Sequence, residues 1–137
     1  MTKFGFAALD DDHEHLFSLA AEVESRIARG GPTEDVRQKF HELVVSARTH
    51  FEREERYMEA CRYPDLDPHR REHTEVDAWL AHLERGFATD GSIAAADAAE
   101  QTLAFLTAWL ERHLTNFDRV AIRFMLARST SETAPTP

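Results

Sequence analysis

The sequence contains one cysteine, Cys61, so no disulfide can form within the chain. A single thiol among helix-forming residues reads as a small, half-buried apolar side chain. Glycine and proline are scarce, at five each in 137 residues, which excludes a fibrous or low-complexity chain. No apolar run approaches the length of a membrane span, and the opening "MTKFGFAALDDDHEH" lacks the apolar stretch of a secretory signal. A cytoplasmic protein without a membrane partner is therefore expected. Basic clusters are missing too: 16 Lys and Arg against 25 Asp and Glu leave a net charge of -9, so a phosphate backbone would be repelled and nucleic acid is excluded as a partner. Nucleophile elbows of the GxSxG type, phosphate cradles of the GxxxxGK type, HExxH and Glu-x-x-His are all absent.

What is present is helical periodicity. The few glycines and prolines fall largely at "RGGPT" (29–33), "CRYPDLDP" (61–68) and "RGFATDGS" (85–92), leaving four amphipathic segments between them. The first, about 11–29, carries His13, Leu16, Phe17, Ala20, Val23 and Ile27 on one stripe. The second, about 33–60 after the start signals Pro32 and Thr33, carries Val36, Phe40, Leu43, Ala47, His50, Phe51, Glu54 and Met58. Asp67 as N-cap and Pro68 at the first helical position open the third, with His69, His73, Val76, Leu80, Leu83 and Phe87. The fourth runs from after Ser92 to about 127 through Leu103, Leu106, Leu110, His113, Phe117, Val120 and Phe124. Short connections make consecutive helices antiparallel, so the expected fold is all-α, an up-down-up-down antiparallel four-helix bundle over residues 1–128. The polar tail "STSETAPTP" (129–137) is expected to be disordered.

Five of the eight histidines and two acids lie on or beside these apolar stripes. Buried imidazoles need partners and a lone buried carboxylate is costly, so something positive belongs among them. At about 1.5 Å per residue, His13, His50, Glu54, His69, His73 and His113 all reach depths of about 20 to 32 Å from one end of the bundle, while Asp118 comes out deeper, at about 38 Å. Asp118 is also five residues from His113, which on an ideal α-helix is not the same face; a π-type turn between them would bring the two together. Seven ligands exceed the four of a tetrahedral zinc and suit two six-coordinate ions, with one position open. The mixed imidazole and carboxylate set suits non-haem iron, with manganese, cobalt and zinc still allowed by donor type.

"LDDDHEHLF", "HFEREERYM", "YPDLDPHRREH" and "WLERHLTNFD" together resemble the successive signatures of the hemerythrin family, over about residues 9–120. Myohemerythrin is itself a standard example of the four-helix bundle. The resemblance implies two iron ions per chain with a bridging hydroxide or oxide, one ion held by His69, His73 and His113 and the other by His13 and His50. Glu54 and Asp118 would bridge them, and dioxygen would bind the second ion. It also implies an apolar lining from Leu16, Phe51, Trp109, Leu110 and Leu114. Two features depart from the family pattern: Asp12 precedes His13 where many relatives have glutamine, and Phe4 and Phe6 are the only upstream aromatics. His15, His41 and His82 fall outside the ligand pattern and are expected near the surface. The implied function is reversible dioxygen binding by a monomer rather than catalysis, with the alternative of a di-iron enzyme or sensor on the same scaffold, reducing peroxide or nitric oxide or handling iron for cluster repair. A purely structural bundle, its histidines satisfied by hydrogen bonds, is the third possibility.

Overall fold

A computed structural model describes residues 3–30, 33–89 and 93–133. All its regular elements are helical among the described residues: α1 (Ala7–Ala28), α2 (Thr33–Ala60), α3 (Leu66–Thr89), α4 (Ile93–His113), a π-helical turn (Leu114–Asp118) and α5 (Arg119–Thr133). The π turn makes α4 and α5 one continuous rod. α1 and α3 each touch both α2 and α4, and α2 also touches α5 across the bundle. No helix is long and apolar enough among the described residues to cross a membrane.

Helix α2 has the ends read from the sequence, but the others differ. α1 begins at Ala7 rather than near 11, because Asp10, 5% exposed, turns its carboxylate back to accept from the backbone N–H groups of Phe4 (2.8 Å) and Gly5 (3.0 Å). That closure ties the chain ahead of the helix to its first turn, where Phe6 at the N-cap makes no side-chain hydrogen bond. α3 begins at Leu66, so Asp67 and Pro68 lie inside its first turn instead of opening it. Proline is tolerated there because the first four N–H groups of a helix have no intrahelical acceptor. α5 continues to Thr133, past the expected end near 127, since no residue before Pro135 breaks the helix. The backbone of 129–133 is thus helical where a disordered tail was expected; 134–137, Gly31, Pro32 and Ser92 lie outside the described residues, as does the Phe87 side chain.

Between α2 and α3 the chain reverses through a tight C-cap. Arg62 takes a left-handed conformation (φ 57°), with Tyr63 N–H donating to Met58 O (2.9 Å) and Arg62 N–H to Glu59 O (3.1 Å). This is the Schellman pattern, and its usual apolar contact is present, since Met58 and Tyr63 belong to one buried cluster. The reversal brings the histidines of α3 back alongside those of α2.

The apolar core is divided in two. The larger part holds Leu16, Val23, Phe40, Leu43, Val44, Phe51, Val76, Leu80, Leu106 and Leu110, among others. The smaller holds Leu9, Met58, Tyr63, Ala121, Ile122 and Met125. Along each rod the ligand candidates fall between these parts: Leu9 precedes His13 by one turn, Met58 follows Glu54, and Ile122 follows Asp118. The fourth stripe also changes face across the π turn. Val120 is 47% exposed, whereas Ala121, Ile122 and Met125 are buried. A π turn inserts one residue, and one residue is about 100° of helix, so every position after it moves round by that amount.

Candidate metal centre

Seven polar side chains converge between the two apolar clusters, none more than 3% exposed: His13 from α1, His50 and Glu54 from α2, His69 and His73 from α3, His113 from the end of α4, and Asp118 from the end of the π turn. His50 and Glu54, like His69 and His73, are four residues apart and so share a helix face. The π turn does the same for His113 and Asp118. Arg119 N–H bonds back to Leu114 O, five residues away, and Asp118 Oδ1 comes within 2.9 Å of His113 Nε2. All seven residues singled out from the sequence are brought together.

The donors divide into two groups that share the carboxylates. On one side, Glu54 Oε1 lies 2.6 Å from His69 Nε2 and 3.3 Å from His73 Nε2, and Asp118 Oδ1 lies 2.8 Å from His69 Nε2. His113 Nε2 closes this side at 3.0 Å from His73 Nε2 and 3.1 Å from His69 Nε2. On the other, Glu54 Oε2 is 3.4 Å from His50 Nε2 and 3.9 Å from His13 Nε2, and Asp118 Oδ2 is 3.0 Å from His13 Nε2. Within each group one ligand atom per residue lies no more than 4.8 Å from every other, a spread that suits a single cation.

The hydrogen bonding of these groups is incomplete. Both oxygens of Glu54 and both ring nitrogens of His13 have no hydrogen-bond partner, although all are buried. Buried polar atoms in folded chains are nearly always satisfied, and five inward Nε2 atoms facing two carboxylates form a donor set for cations rather than a hydrogen-bonded network. The residues therefore fit a metal, and the purely structural reading is disfavoured. Without a cation, protons fill that role. Burial lowers the pKa of His69, but Asp118 and Glu54 beside it raise it to about 9; His50 is likewise raised to about 9 by Asp12 and Glu54 against the effect of burial. Against the effect of burial, His13 is raised by Asp118 and Glu54, and His73 by Glu54 and Glu55. Burial disfavours ionisation of Glu54, yet His13, His50, His69 and His73 hold it well below the usual carboxylate range.

On the outer side, two imidazoles are tied down by acids that are themselves held by arginines. His50 Nδ1 is 3.2 Å from Asp12 Oδ2, and Arg53 donates to Asp12 Oδ1 at 3.0 Å. His73 Nδ1 is 3.2 Å from Glu55 Oε2, and Arg70 donates to Glu55 Oε1 at 2.8 Å. Such acids fix the ring orientation and tautomer of a metal-binding histidine. Aromatic faces add to this: Phe51 stacks on His73 (4.2 Å) and Trp109 on His113 (4.5 Å).

Residues 5–124 match the family described as the hemerythrin HHE cation binding domain. The chain belongs to this family. No curated protein and no solved structure matches it. Against the hemerythrin pattern, the aspartate in place of glutamine has a definite position: Asp12 supports His50, not the adjacent His13, whose Nδ1 has no partner. The upstream aromatic contact comes from Phe4, packed edge-on to His13 at 6.3 Å. Of the expected lining, Leu16, Phe51, Trp109 and Leu110 sit in the larger apolar cluster, whereas Leu114 is buried beside a surface cavity. His15, His41 and His82 are exposed, His41 paired with Glu84. Sequence reasoning missed Glu55. Its signal was available, since each ligating imidazole needs an acceptor for its outer N–H and an acid next to Glu54 faces the adjacent helix.

Proposed function

We propose that this hemerythrin-family chain binds dioxygen reversibly at a non-haem di-iron centre bridged by Glu54, Asp118 and a hydroxo or oxo group. His69, His73 and His113 would hold one ion and His13 and His50 the other, within an up-down-up-down antiparallel bundle. When bound, such a pair of ferrous ions supplies two electrons to dioxygen and recovers them on release. The observation that carries the reading is the unequal division of imidazoles, three on the Oε1/Oδ1 side of the carboxylates and two on the Oε2/Oδ2 side. With equal coordination preferences, the two-imidazole side is short of one ligand.

The chain's other residues support binding over turnover. Leu16, Phe51, Trp109, Leu110 and Leu114 are each at most 9% exposed and none carries a titratable group, so they exclude water and supply no proton to reduced oxygen. Asp12 and Glu55 hold His50 and His73 in fixed orientations, which limits rearrangement between ligand states. Absorption spectra of the iron-loaded chain under nitrogen, then air, then nitrogen test the proposal. Full recovery of the first spectrum is expected; loss of recovery together with steady peroxide or nitric oxide turnover would replace it with the enzyme reading.

A further inference from the structure

A cavity of about 850 Å³ opens beside the metal centre, between the N-terminal arm, α1 and the junction of the π turn with α5. Its apolar surface comes from Phe4, Phe17 and Leu114. Its cations are Lys3, Arg119 and Arg123. Arg119 and Arg123 are four residues apart on α5 and so project from one face, about one turn apart. Arg37, Lys39, Arg48, Arg53 and Arg70 all have carboxylate partners, but none of the three cavity cations has an ion pair among the described residues. In a chain of net charge -9, three unpaired cations around one concavity concentrate positive potential there.

The cavity is also held in shape. Its arm is fastened by the two backbone bonds to buried Asp10, and Gly5 makes the bend at φ 89°, a left-handed conformation open to glycine. Phe4 is braced edge-on against His13, and Leu114 is only 7% exposed. Thr115 on the rim donates its hydroxyl to the Glu111 carbonyl at 3.0 Å, leaving its oxygen free only to accept. Among the described residues, the one acid lining the cavity is Glu111.

We infer that this cavity binds an organic monoanion, a carboxylate joined to an apolar body. The carboxylate meets Arg119, Arg123 and Lys3, and the apolar body lies on Phe4, Phe17 and Leu114. Arginine matches a carboxylate with paired N–H donors, and a fastened wall lowers the entropy lost on binding. A small inorganic polyanion would leave the apolar surface wet and meet Glu111. This site stands whether or not the metal centre binds dioxygen.

Isothermal titration of the iron-loaded full chain with octanoate, octanamide and inorganic phosphate at low salt tests it. Octanoate is expected to bind with Kd of about 1 mM or tighter, and each control about 10-fold more weakly. The double variant R119Q/R123Q, at exposed positions, should weaken octanoate about 10-fold, and K3Q alone about 3-fold. K39Q, on a lysine already paired with Glu22 and Glu42, should change nothing. Octanoate binding no tighter than octanamide or phosphate, an unchanged affinity in both cavity variants, or displacement of octanoate by azide from the iron would each overturn the inference.

Discussion

Replacing Glu54 by glutamine keeps the shape of the side chain while removing its charge and half of its ligating capacity. Glu54 is fully buried, and its two oxygens face different imidazole groups, Oε1 toward His69 and His73 and Oε2 toward His50 and His13. An amide nitrogen cannot take the place of either oxygen toward a cation or toward a protonated imidazole. Removing one partner from a buried charged cluster costs about 3 to 5 kcal/mol. With an unfolding entropy of about 2.1 cal/mol/K per residue, the 137-residue chain loses about 3.5 °C of Tm for each 1 kcal/mol, so the metal-free variant should melt about 10 to 17 °C lower. Iron content of the loaded variant should fall from about two per chain to one or fewer, because a shared ligand serves both groups. Glu55→Gln is the control. Glu55 bonds the outer nitrogen of His73 and Arg70 and faces neither carboxylate-sharing group, so that variant should still load both irons at saturating iron, at lower affinity, and melt within about 4 °C of the parent. Thermal melts by circular dichroism on chelated protein, with elemental analysis of loaded protein, make both comparisons. A Glu54→Gln variant with two irons and an unchanged melt would refute the shared-carboxylate reasoning.

Three further outcomes follow from the same geometry. His50 and His69 have pKa values raised to about 9 in the metal-free fold from 6.5, so the stability they contribute is complete below about pH 6.5 and lost as pH rises through 9; metal-free Tm should fall across that interval. Uptake of metal at pH 7 should release protons measurable in a weakly buffered titration, and uptake without proton release would contradict the assignment. Asp12→Asn should weaken iron binding about 10- to 100-fold by freeing the His50 ring and Arg53, with the spectrum of the two-imidazole side altered more than the other. Iron affinity equal to the parent's would show that Asp12 merely pairs with Arg53 at the surface.

The ligand set was legible because it breaks a pattern: His13, His50, Glu54, His69, His73 and His113 stand where a helical stripe calls for apolar residues. The need for a π turn was legible from the five-residue gap to Asp118. Its effect on packing does not show in the periodicity: the stripe continues to Val120, whereas the inserted residue turns Ala121, Ile122 and Met125 inward. The start of α1 was misplaced for a different reason. Asp10 carries no helix-start signal in the sequence, and only the folded arm shows its carboxylate under Phe4 and Gly5. Periodicity detects which face is buried but not what a side chain bonds to across a turn. Asp12 is the same case across helices, lying beside His13 in sequence and bonding to His50 in space.

The polar layer between two apolar clusters also links folding to loading. Two buried carboxylates cannot remain ionised there without positive charge nearby, and the chain places five imidazoles around them. In the metal-free fold four of them, His13, His50, His69 and His73, have raised pKa values and provide it by holding protons. A cation can bind only to the unprotonated nitrogens, so loading is an exchange of protons for metal at nearly constant charge. The layer can therefore form with either kind of positive charge, and the π turn already aligns Asp118 with His113 in the metal-free fold. That separates two roles for Asp118. Its carboxylate sets the charge the layer must balance, while the extra residue before it sets where the last rod buries its apolar face.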